Sequence, residues 1–154
     1  MISMAENAGG VAASVVSVLD STLESVDTAE AIVLKVAQEL GFPEDAQYQI
    51  SMAVRESMVN AVVHGNCYSE HKKVRLSVAK APDRLTVTVA DEGKGFDFSS
   101  LPDPLAKENL LNQSGRGILL MKAFTDELEI RRVQPHGTEL KLVKYLNQKV
   151  QSAV

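Results

Sequence analysis

Residues 56–66 (ESMVNAVVHGN) bring together side chains that could bind or activate a ligand. Residues four apart lie on one face of a helix, so Glu56, Asn60 and His64 would form a polar line on an otherwise apolar helix. Taken alone, such a line is more often a solvated face than a site. Asn has poor propensity for the interior of a helix, however, and this makes its position there notable. The segment is a candidate site that needs support from elsewhere in the chain.

A second segment, residues 91–97 (DEGKGFD), directly follows a run that reads as a strand. Gly93 and Gly95 allow backbone conformations that bring a ligand close to the main chain. The Asp91 carboxylate could accept a hydrogen bond from an exocyclic amine such as that of adenine. Asp and Gly also dominate ordinary turns, so this segment by itself is a weak indication of a site.

A third segment, residues 114–121 (SGRGILLM), places Gly115 and Gly117 on either side of Arg116, where a helix is predicted to begin. Free backbone N–H groups at a helix start bind anions, and an arginine there could add a charge-assisted contact to a terminal phosphate. The alternative is a flexible loop before a core helix. The segment is neither a Rossmann glycine motif nor a P-loop. Residues 136–138 (HGT) read by themselves as a hairpin turn.

The spacing of apolar residues predicts the elements that would position these segments. Helices are predicted at 29–40 (capped by Asp27 or Thr28), 44–63 and 115–124, and strands at 11–20, 74–78, 85–89, 128–133 and 138–143. The stretch 91–114 is a loop of roughly 24 residues, a length that usually has a function. The pattern indicates an α+β fold, a two-layer sandwich with helices on one face of a mixed, mainly antiparallel sheet.

Composition narrows the classes of function that fit the chain. Its 154 residues suit one domain, predicted over residues 11–146, with tails at 1–10 and 147–154. The chain has a formal net charge of −4, so it lacks the positively charged surface that nucleic-acid-binding proteins usually have. Cys67 is the only cysteine, which excludes an internal disulfide and suits a reducing cytoplasm. No apolar run approaches the roughly 20 residues that span a membrane, and the first ten residues lack the Lys or Arg of a signal peptide.

The joint order and spacing of these segments resemble the GHKL family of ATP-binding domains, also called the Bergerat fold. The matching residues are Glu56…Asn60-Ala61…His64-Gly65-Asn66, Asp91-Glu-Gly93-Lys-Gly95, Gly115-Arg116-Gly117 and Gly137-Thr138. They span almost the whole chain, and four motifs in this order make a specific match. Within the family, the Asn-Ala-Val-Val-His-Gly-Asn run and the Gly-Arg-Gly before Ile-Leu-Leu-Met look most like bacterial anti-sigma factor serine/threonine kinases. A lone domain of this size without a preceding phosphoacceptor helix is similar to them as well.

The resemblance implies transfer of the γ-phosphoryl group of ATP to a serine or threonine on a small anti-anti-sigma (STAS-type) protein. It also implies Mg²⁺ as a cofactor, reversible sequestering of a sigma factor, regulation of transcription, and a cytoplasmic homodimer. By the same resemblance, Asn60 would bind Mg²⁺ through its side-chain oxygen, a ligand type that this hard cation prefers. Glu56 would act as general base for the incoming hydroxyl, or would orient it.

The resemblance also implies how the nucleotide itself is bound. Asp91 would accept a hydrogen bond from the adenine amine, and Gly93 and Gly95 would let the backbone pass close to the base and sugar. Thr138 would support the adenine site through a water shared with Asp91. His64 joins the nucleotide-binding candidates, although a polar residue at the end of a helix is more often structural.

The phosphates would lie under the third segment. Gly115, Arg116 and Gly117 would close over them, with Arg116 near the γ-phosphate. Lys94 and Lys107 could also reach phosphates, but lysines in loops are usually solvated.

Two other functions remain open at this point. The chain could be a switch or adaptor that binds ATP and a partner protein but transfers nothing, acting through ATP-dependent ordering of the lid. It could also be related to the catalytic domain of a histidine kinase. The position of Glu56, one helical turn before Asn60, is the feature that favours the kinase over the switch.

Overall fold

The computed structural model describes residues 2–5, 13–94, 113–133 and 135–146 of the chain. In chain order this part contains strands β1 (Ile2–Ala5) and β2 (Ala13–Asp20), helices α1 (Leu23–Leu40) and α2 (Glu44–Val59), a π-helix (Asn60–Gly65), strands β3 (Lys73–Ala81) and β4 (Arg84–Ala90), helix α3 (Gln113–Phe124), and strands β5 (Glu127–Arg132) and β6 (Thr138–Tyr145). None of these helices has both the length and the apolar character needed to cross a membrane.

The strands of the described part form one six-stranded sheet in the order β1-β2-β3-β4-β6-β5, and every pairing is antiparallel. The predicted α+β sandwich is confirmed, but the parallel pairing that a mixed sheet implies does not occur among the described strands. The reason lies in the connections, since the chain passes through both α1 and α2 between β2 and β3. Two helices return the chain in the opposite direction, whereas a single crossover helix would have made the pair parallel.

The inner face of the sheet packs against the helices through alternate residues of β3, β4 and β6. The sheet side chains buried there are Val74, Leu76, Val78, Leu85, Val87, Val89, Leu140 and Leu142, and the helices contribute Val26, Ala29, Val33, Ile50, Val54 and Met58. Full burial of one such valine, leucine or methionine is worth about 1.5–3 kcal/mol before the entropy cost of folding is subtracted. The apolar inner face of the sheet therefore packs against the helices. This packing fixes the end of β4, where the candidate site lies.

Helix α1 begins at Leu23, earlier than the sequence predicts. Its cap is Thr22, whose hydroxyl accepts a backbone hydrogen bond from the first turn, rather than Asp27 or Thr28. Val26 in that first turn is buried in the core and continues the apolar spacing of Ala29 and Val33, so the sequence carries a signal for this turn that the prediction missed. The helix ends as predicted at a glycine with positive φ.

The start of the chain also differs from the loose tail predicted over residues 1–10. Residues 2–5 form β1, which pairs with β2 in the register Ile2↔Ser17 to Ala5↔Ser14. Four residues are too few for alternation to be told from chance, and the backbone of β2 supplies the pairing groups. The predicted tail at 147–154 and most of the predicted loop at 91–114 lie outside the described residues.

Candidate functional site

Asp91 directly follows β4 and is buried, with 9% of its surface exposed. Its backbone amide donates to the carbonyl of Thr138 at the start of β6 (2.9 Å). Its Oδ1 atom accepts hydrogen bonds from the amides of Gly93 (2.9 Å) and Thr138 (3.3 Å). The pairing of β4 with β6 thus continues past the end of β4 and holds the carboxylate in one orientation.

Burial raises the pKa of the Asp91 carboxyl group above its ordinary value. The amides of Gly93 and Thr138 and the charge of Lys72 act in the opposite direction, but their effect is smaller than that of burial. The ionised carboxylate is therefore incompletely compensated, and a further donor from a ligand would stabilise it. Carboxyl groups in this condition are common at functional sites.

Three glycines around Asp91 are packed so closely that none has room for a side chain. A Cβ atom at Gly65 would lie 2.4 Å from the carboxylate carbon of Asp91, and one at Gly137 would lie 2.4 Å from its carbonyl oxygen. A Cβ atom at Gly93 would lie 2.1 Å from the carbonyl oxygen of Gly65, so protein backbone fills the space beside Gly93. The end of the π-helix, the Asp91 loop and the turn before β6 therefore form one close-packed cradle.

Helix α2 passes without a break into the π-helix at Asn60, so the helix predicted over residues 44–63 is present, but its last turn is π rather than α. The Asn60 amide still donates to the Glu56 carbonyl, so Glu56 and Asn60 share a face, and both are partly buried. Beyond Asn60 the wider turn rotates the following residues around the helix axis. His64 is exposed. The structure thus brings Glu56 and Asn60 together, and His64 differs from them in being exposed.

Helix α3 brings the glycine–arginine–glycine segment onto α2. Gly117 is buried against Glu56, and a Cβ atom at Gly117 would lie 2.9 Å from the Glu56 Oε2 atom. Further along α3, the buried sulfur of Met121 accepts a hydrogen bond from the Ser57 hydroxyl (3.1 Å). Arg116 lies next to Gly117 on α3 and is exposed. The third candidate segment therefore meets the first, with the Glu56 carboxylate at their contact.

The Thr138 side chain is buried beside Asp91, and its hydroxyl oxygen has no hydrogen-bond partner within the described part of the chain. A buried hydroxyl left in this condition costs about 1–3 kcal/mol. A ligand or a water molecule that bonds to it would remove this cost. The carboxylate and the hydroxyl together fit the exocyclic amine of adenine, with a water bridging to the ring.

Asn66 is a residue to which the sequence assigns no role of its own. Its side chain is 1% exposed and donates to the Ser21 hydroxyl (2.9 Å) and the Lys73 carbonyl (3.0 Å). Its Oδ1 atom accepts from the amide of Glu92, the residue after Asp91 (2.8 Å). The available signal was its place at the end of the first segment, but an Asn that stabilises a turn looks the same in a sequence.

Asn60 remains the side chain predicted to bind Mg²⁺. Among the described residues, no group of three or more His, Cys, Asp or Glu side chains is placed to hold a metal ion. Mg²⁺ usually takes one or two protein oxygens and completes its shell with phosphate and water, so a single Asn amide fits it. Of the other candidates, Gly115 lies in the first turn of α3 and Lys94 is exposed, whereas Gly95 and Lys107 lie outside the described residues.

A model of the histidine kinase-like ATPase domain family matches residues 19–144. The chain belongs to this family. The match runs from the end of β2 to β6 and so includes the elements that build the cradle around Asp91. It confirms the family resemblance seen in the sequence.

Two relatives and one solved structure extend the comparison. The chain is 34% identical over 119 residues to the serine-protein kinase RsbW of Bacillus subtilis (strain 168), covering 73% of this chain and 72% of that protein. It is 32% identical over 100 residues to the anti-sigma F factor of Clostridium perfringens (strain 13 / Type A), covering 64% and 71%. The crystal structure of the RsbU and RsbW domains of Rv1364c from Mycobacterium tuberculosis matches with a TM-score of 0.63 at 21% identity. That match covers 86% of this chain and 32% of the other, and it supports the fold.

Proposed function

We propose that the chain is an ATP-dependent protein serine/threonine kinase that phosphorylates an anti-anti-sigma (STAS-type) partner and sequesters a sigma factor. The observation that carries this proposal is the Asp91 carboxylate, buried and held by backbone amides beside a Thr138 hydroxyl that no described residue bonds. Relatives named serine-protein kinase and anti-sigma factor, at 34% and 32% identity, support the activity and the class of partner. They favour this function over that of a histidine kinase.

Asp91 and Thr138 bind the adenine base in this proposal. The carboxylate accepts a hydrogen bond from the exocyclic amine, and the hydroxyl bonds to a water shared with Asp91. Guanine presents a carbonyl oxygen where adenine presents the amine, so the same carboxylate would repel it. The cradle therefore selects ATP over GTP.

Asn60 provides the protein oxygen for Mg²⁺, which when bound neutralises charge on the phosphates. Glu56 shares a helix face with Asn60, so its carboxylate orients the incoming hydroxyl and takes its proton. The hydroxyl oxygen forms a bond to the γ-phosphorus, the bond from that phosphorus to the bridging oxygen breaks, and ADP leaves. Arg116, exposed at the start of α3, adds positive charge near the γ-phosphate.

Transfer of label from ATP to a STAS-type protein tests this function directly. Asn60→Ala should lose nucleotide binding, because it removes the protein ligand of Mg²⁺. Glu56→Gln should keep nucleotide binding and slow transfer about 100-fold or more, the range expected for loss of a general base. Glu44→Gln changes an exposed glutamate in the first turn of α2 and is the matched control that should alter neither property.

Two outcomes would contradict these assignments. If calorimetry with Mg²⁺ present detected no ATP binding by the wild-type protein, the kinase function would be wrong. If Glu56→Gln lost nucleotide binding, or transferred phosphate as fast as the wild type, Glu56 would not be the base.

The contact between Glu56 and α3 supports a second candidate, a switch that binds ATP and a partner but transfers nothing. Gly117 packs so closely on Glu56 that a shift of α3 would change the surroundings of the carboxylate. The same assay separates the two candidates. A switch would bind ATP and the STAS-type partner, and no label would reach the partner.

The proposal includes a cytoplasmic homodimer. Val18, a large apolar residue in β2, is 42% exposed, and its two neighbours along the strand are less exposed. A single exposed valine is common on protein surfaces, so the proposed dimer rests on the family resemblance. Sedimentation velocity of the purified chain should show a dimer, and a monomer at high micromolar concentration would contradict this part of the proposal.

A further inference from the structure

The Asn66 side chain uses both of its amide atoms to join three segments that are far apart in sequence. Its Nδ2 atom donates to the Ser21 hydroxyl at the corner between β2 and α1 and to the Lys73 carbonyl at the start of β3. Its Oδ1 atom accepts from the Glu92 amide in the loop after β4. A side chain that is 1% exposed and bonded at both ends has one available orientation.

These bonds close a ring beside the candidate adenine site. Asn66 donates to the Lys73 carbonyl, the Lys73 amide donates to the Glu92 carboxylate, and the Glu92 amide donates back to Asn66. Glu92 lies between Asp91 and Gly93 in the chain, and Gly93 is the residue whose amide holds the Asp91 carboxylate. A displacement of the Glu92 amide would therefore move both ends of the hydrogen bond that aims Asp91.

The backbone around Asn66 is fixed from the other side by a tight turn. Cys67 and Tyr68 have φ values of 50° and 60°, in the left-handed region that residues other than glycine seldom adopt. The Tyr68 amide donates to the Val62 carbonyl (2.9 Å), which closes the turn onto the π-helix. The turn and the ring together leave Asn66 little freedom to follow the loop if one of its bonds is lost.

We propose that Asn66 is a positioning residue for the nucleotide site: it fixes the Glu92 amide and thereby aims the Asp91 carboxylate at the adenine amine. This inference rests on the proposed function, since it takes Asp91 to be the residue that reads the base. Asn66 touches no part of the nucleotide itself. Its loss should change which base the site prefers, besides any change in stability.

The preference for ATP over inosine triphosphate tests this role, because inosine triphosphate carries a carbonyl oxygen where ATP carries the amine. In Asn66→Ala, measured at a temperature where the variant is folded, ATP affinity should fall about tenfold or more, the equivalent of one lost hydrogen bond in a buried site. The ratio of the two affinities should approach one. Ser21→Ala removes a different partner of Asn66 and is the matched control that should keep the wild-type ratio.

One further variant completes the test. Asn66→Ser has a side chain too short to reach that amide and should lose the preference even if Asn66→Ala does not fold. A wild-type ratio in folded Asn66→Ala or Asn66→Ser, with only the melting temperature lowered, would overturn the inference and leave the kinase function intact. A wild-type protein that binds neither nucleotide would overturn the proposed function, and this inference with it.

Discussion

Asp91 is a buried acid whose hydrogen-bond donors are the backbone amides of Gly93 and Thr138. Such amides set the direction of a carboxylate without neutralising its charge. Part of the cost of burial therefore remains in the free protein and raises the pKa of this group. An uncharged side chain would make the free protein more stable, so the charge is best explained by a ligand that bonds to it.

Replacement of Asp91 by asparagine should separate stability from binding. The amide oxygen of Asp91→Asn can still accept from Gly93 and Thr138, while the cost of a buried charge disappears. At pH 7 the free variant should unfold at the same or a higher urea concentration than the wild type, yet bind ATP about tenfold or more weakly. Urea unfolding followed by circular dichroism and calorimetry with Mg²⁺-ATP measure the two properties. A variant that binds ATP as the wild type does would contradict the role of Asp91.

The same carboxyl group should give opposite pH dependences for stability and for binding. Its pKa is higher in the folded chain than in the unfolded one, so folding favours the protonated form. Its contribution to the free energy of unfolding is therefore largest below the ordinary pKa and is lost as pH rises through the raised pKa. ATP affinity should instead fall as pH drops through the raised pKa, because protonation removes the acceptor. Both properties should be measured for the wild type and Asp91→Asn across acidic pH, and the difference between the two proteins isolates the effect of this carboxyl group. If stability and ATP affinity changed in the same direction with pH, the prediction would be wrong.

Among the elements, the π-helix from Asn60 to Gly65 ends the first segment and carries Gly65 against Asp91. The sequence correctly predicts that Glu56 and Asn60 share a face, because both precede the widened turn. The helix runs without a break over residues 44–65, but from Asn60 it is a π-helix rather than the predicted α-helix, and His64 in this part is exposed. One wider turn leaves the apolar spacing almost unchanged, and the contact of Gly65 with Asp91 that accompanies it is tertiary. Local pattern therefore carries no sign of it.

Helix α1 and the strands show how far local pattern reaches. Val26, three residues before the buried Ala29, continues the apolar stripe of α1 into its first turn, so the earlier start could have been predicted, although Leu23 itself is 54% exposed. Strands β3 and β4 were predictable because their alternate residues are buried and because Pro82 and Asp83 between them are common turn residues. The sequence predicts elements best where one side of the element alone meets the core.

Substitution at Gly65 tests whether the end of the π-helix shapes the site. In Gly65→Ala the added Cβ atom would lie 2.4 Å from the Asp91 carboxylate carbon, so the helix end or the carboxylate must move. ATP affinity should fall, and the free energy of unfolding should drop by about 1–3 kcal/mol, the usual range for overpacking. Gly41→Ala is the matched control. Gly41 has a φ of +90° and open space around the added atom, so that variant should lose about 1–2 kcal/mol from backbone strain and keep its ATP affinity.

In the molecule as a whole, the inner face of the sheet packs into the core, and the site lies at the C-terminal end of β4. The order of helices and hairpins could be read from local patterns, which is why the α+β sandwich was predictable. Two features could not be, since they depend on contacts between distant segments. Strand β1 exists through pairing with β2, and Asn66 acts through bonds to Ser21 and Glu92 that span 45 and 26 residues. The roles assigned to Asn60, Asp91 and Thr138 through the family resemblance stay predictions until nucleotide binding is measured.

Two buried serines in the core give opposite predictions for global stability. Ser17, on the inner side of β2, is 2% exposed, and its hydroxyl bonds to no described residue. Ser57, on α2, is 0% exposed, and its hydroxyl donates to the Ala53 carbonyl (2.8 Å) and to the sulfur of Met121. Loss of the first hydroxyl removes a desolvation cost, whereas loss of the second removes one bond within α2 and one that ties α2 to α3.

Ser17→Ala should therefore raise the free energy of unfolding by up to about 1 kcal/mol, and Ser57→Ala should lower it by about 1 kcal/mol. The two substitutions delete the same atom from equally buried positions, so each is the control for the other. Urea unfolding of both variants and the wild type, compared at one temperature and with equal m-values, measures the difference. A similar loss in both variants would mean that the Ser17 hydroxyl is bonded in solution, and the core of this sheet would then hold a polar contact that its packing does not show.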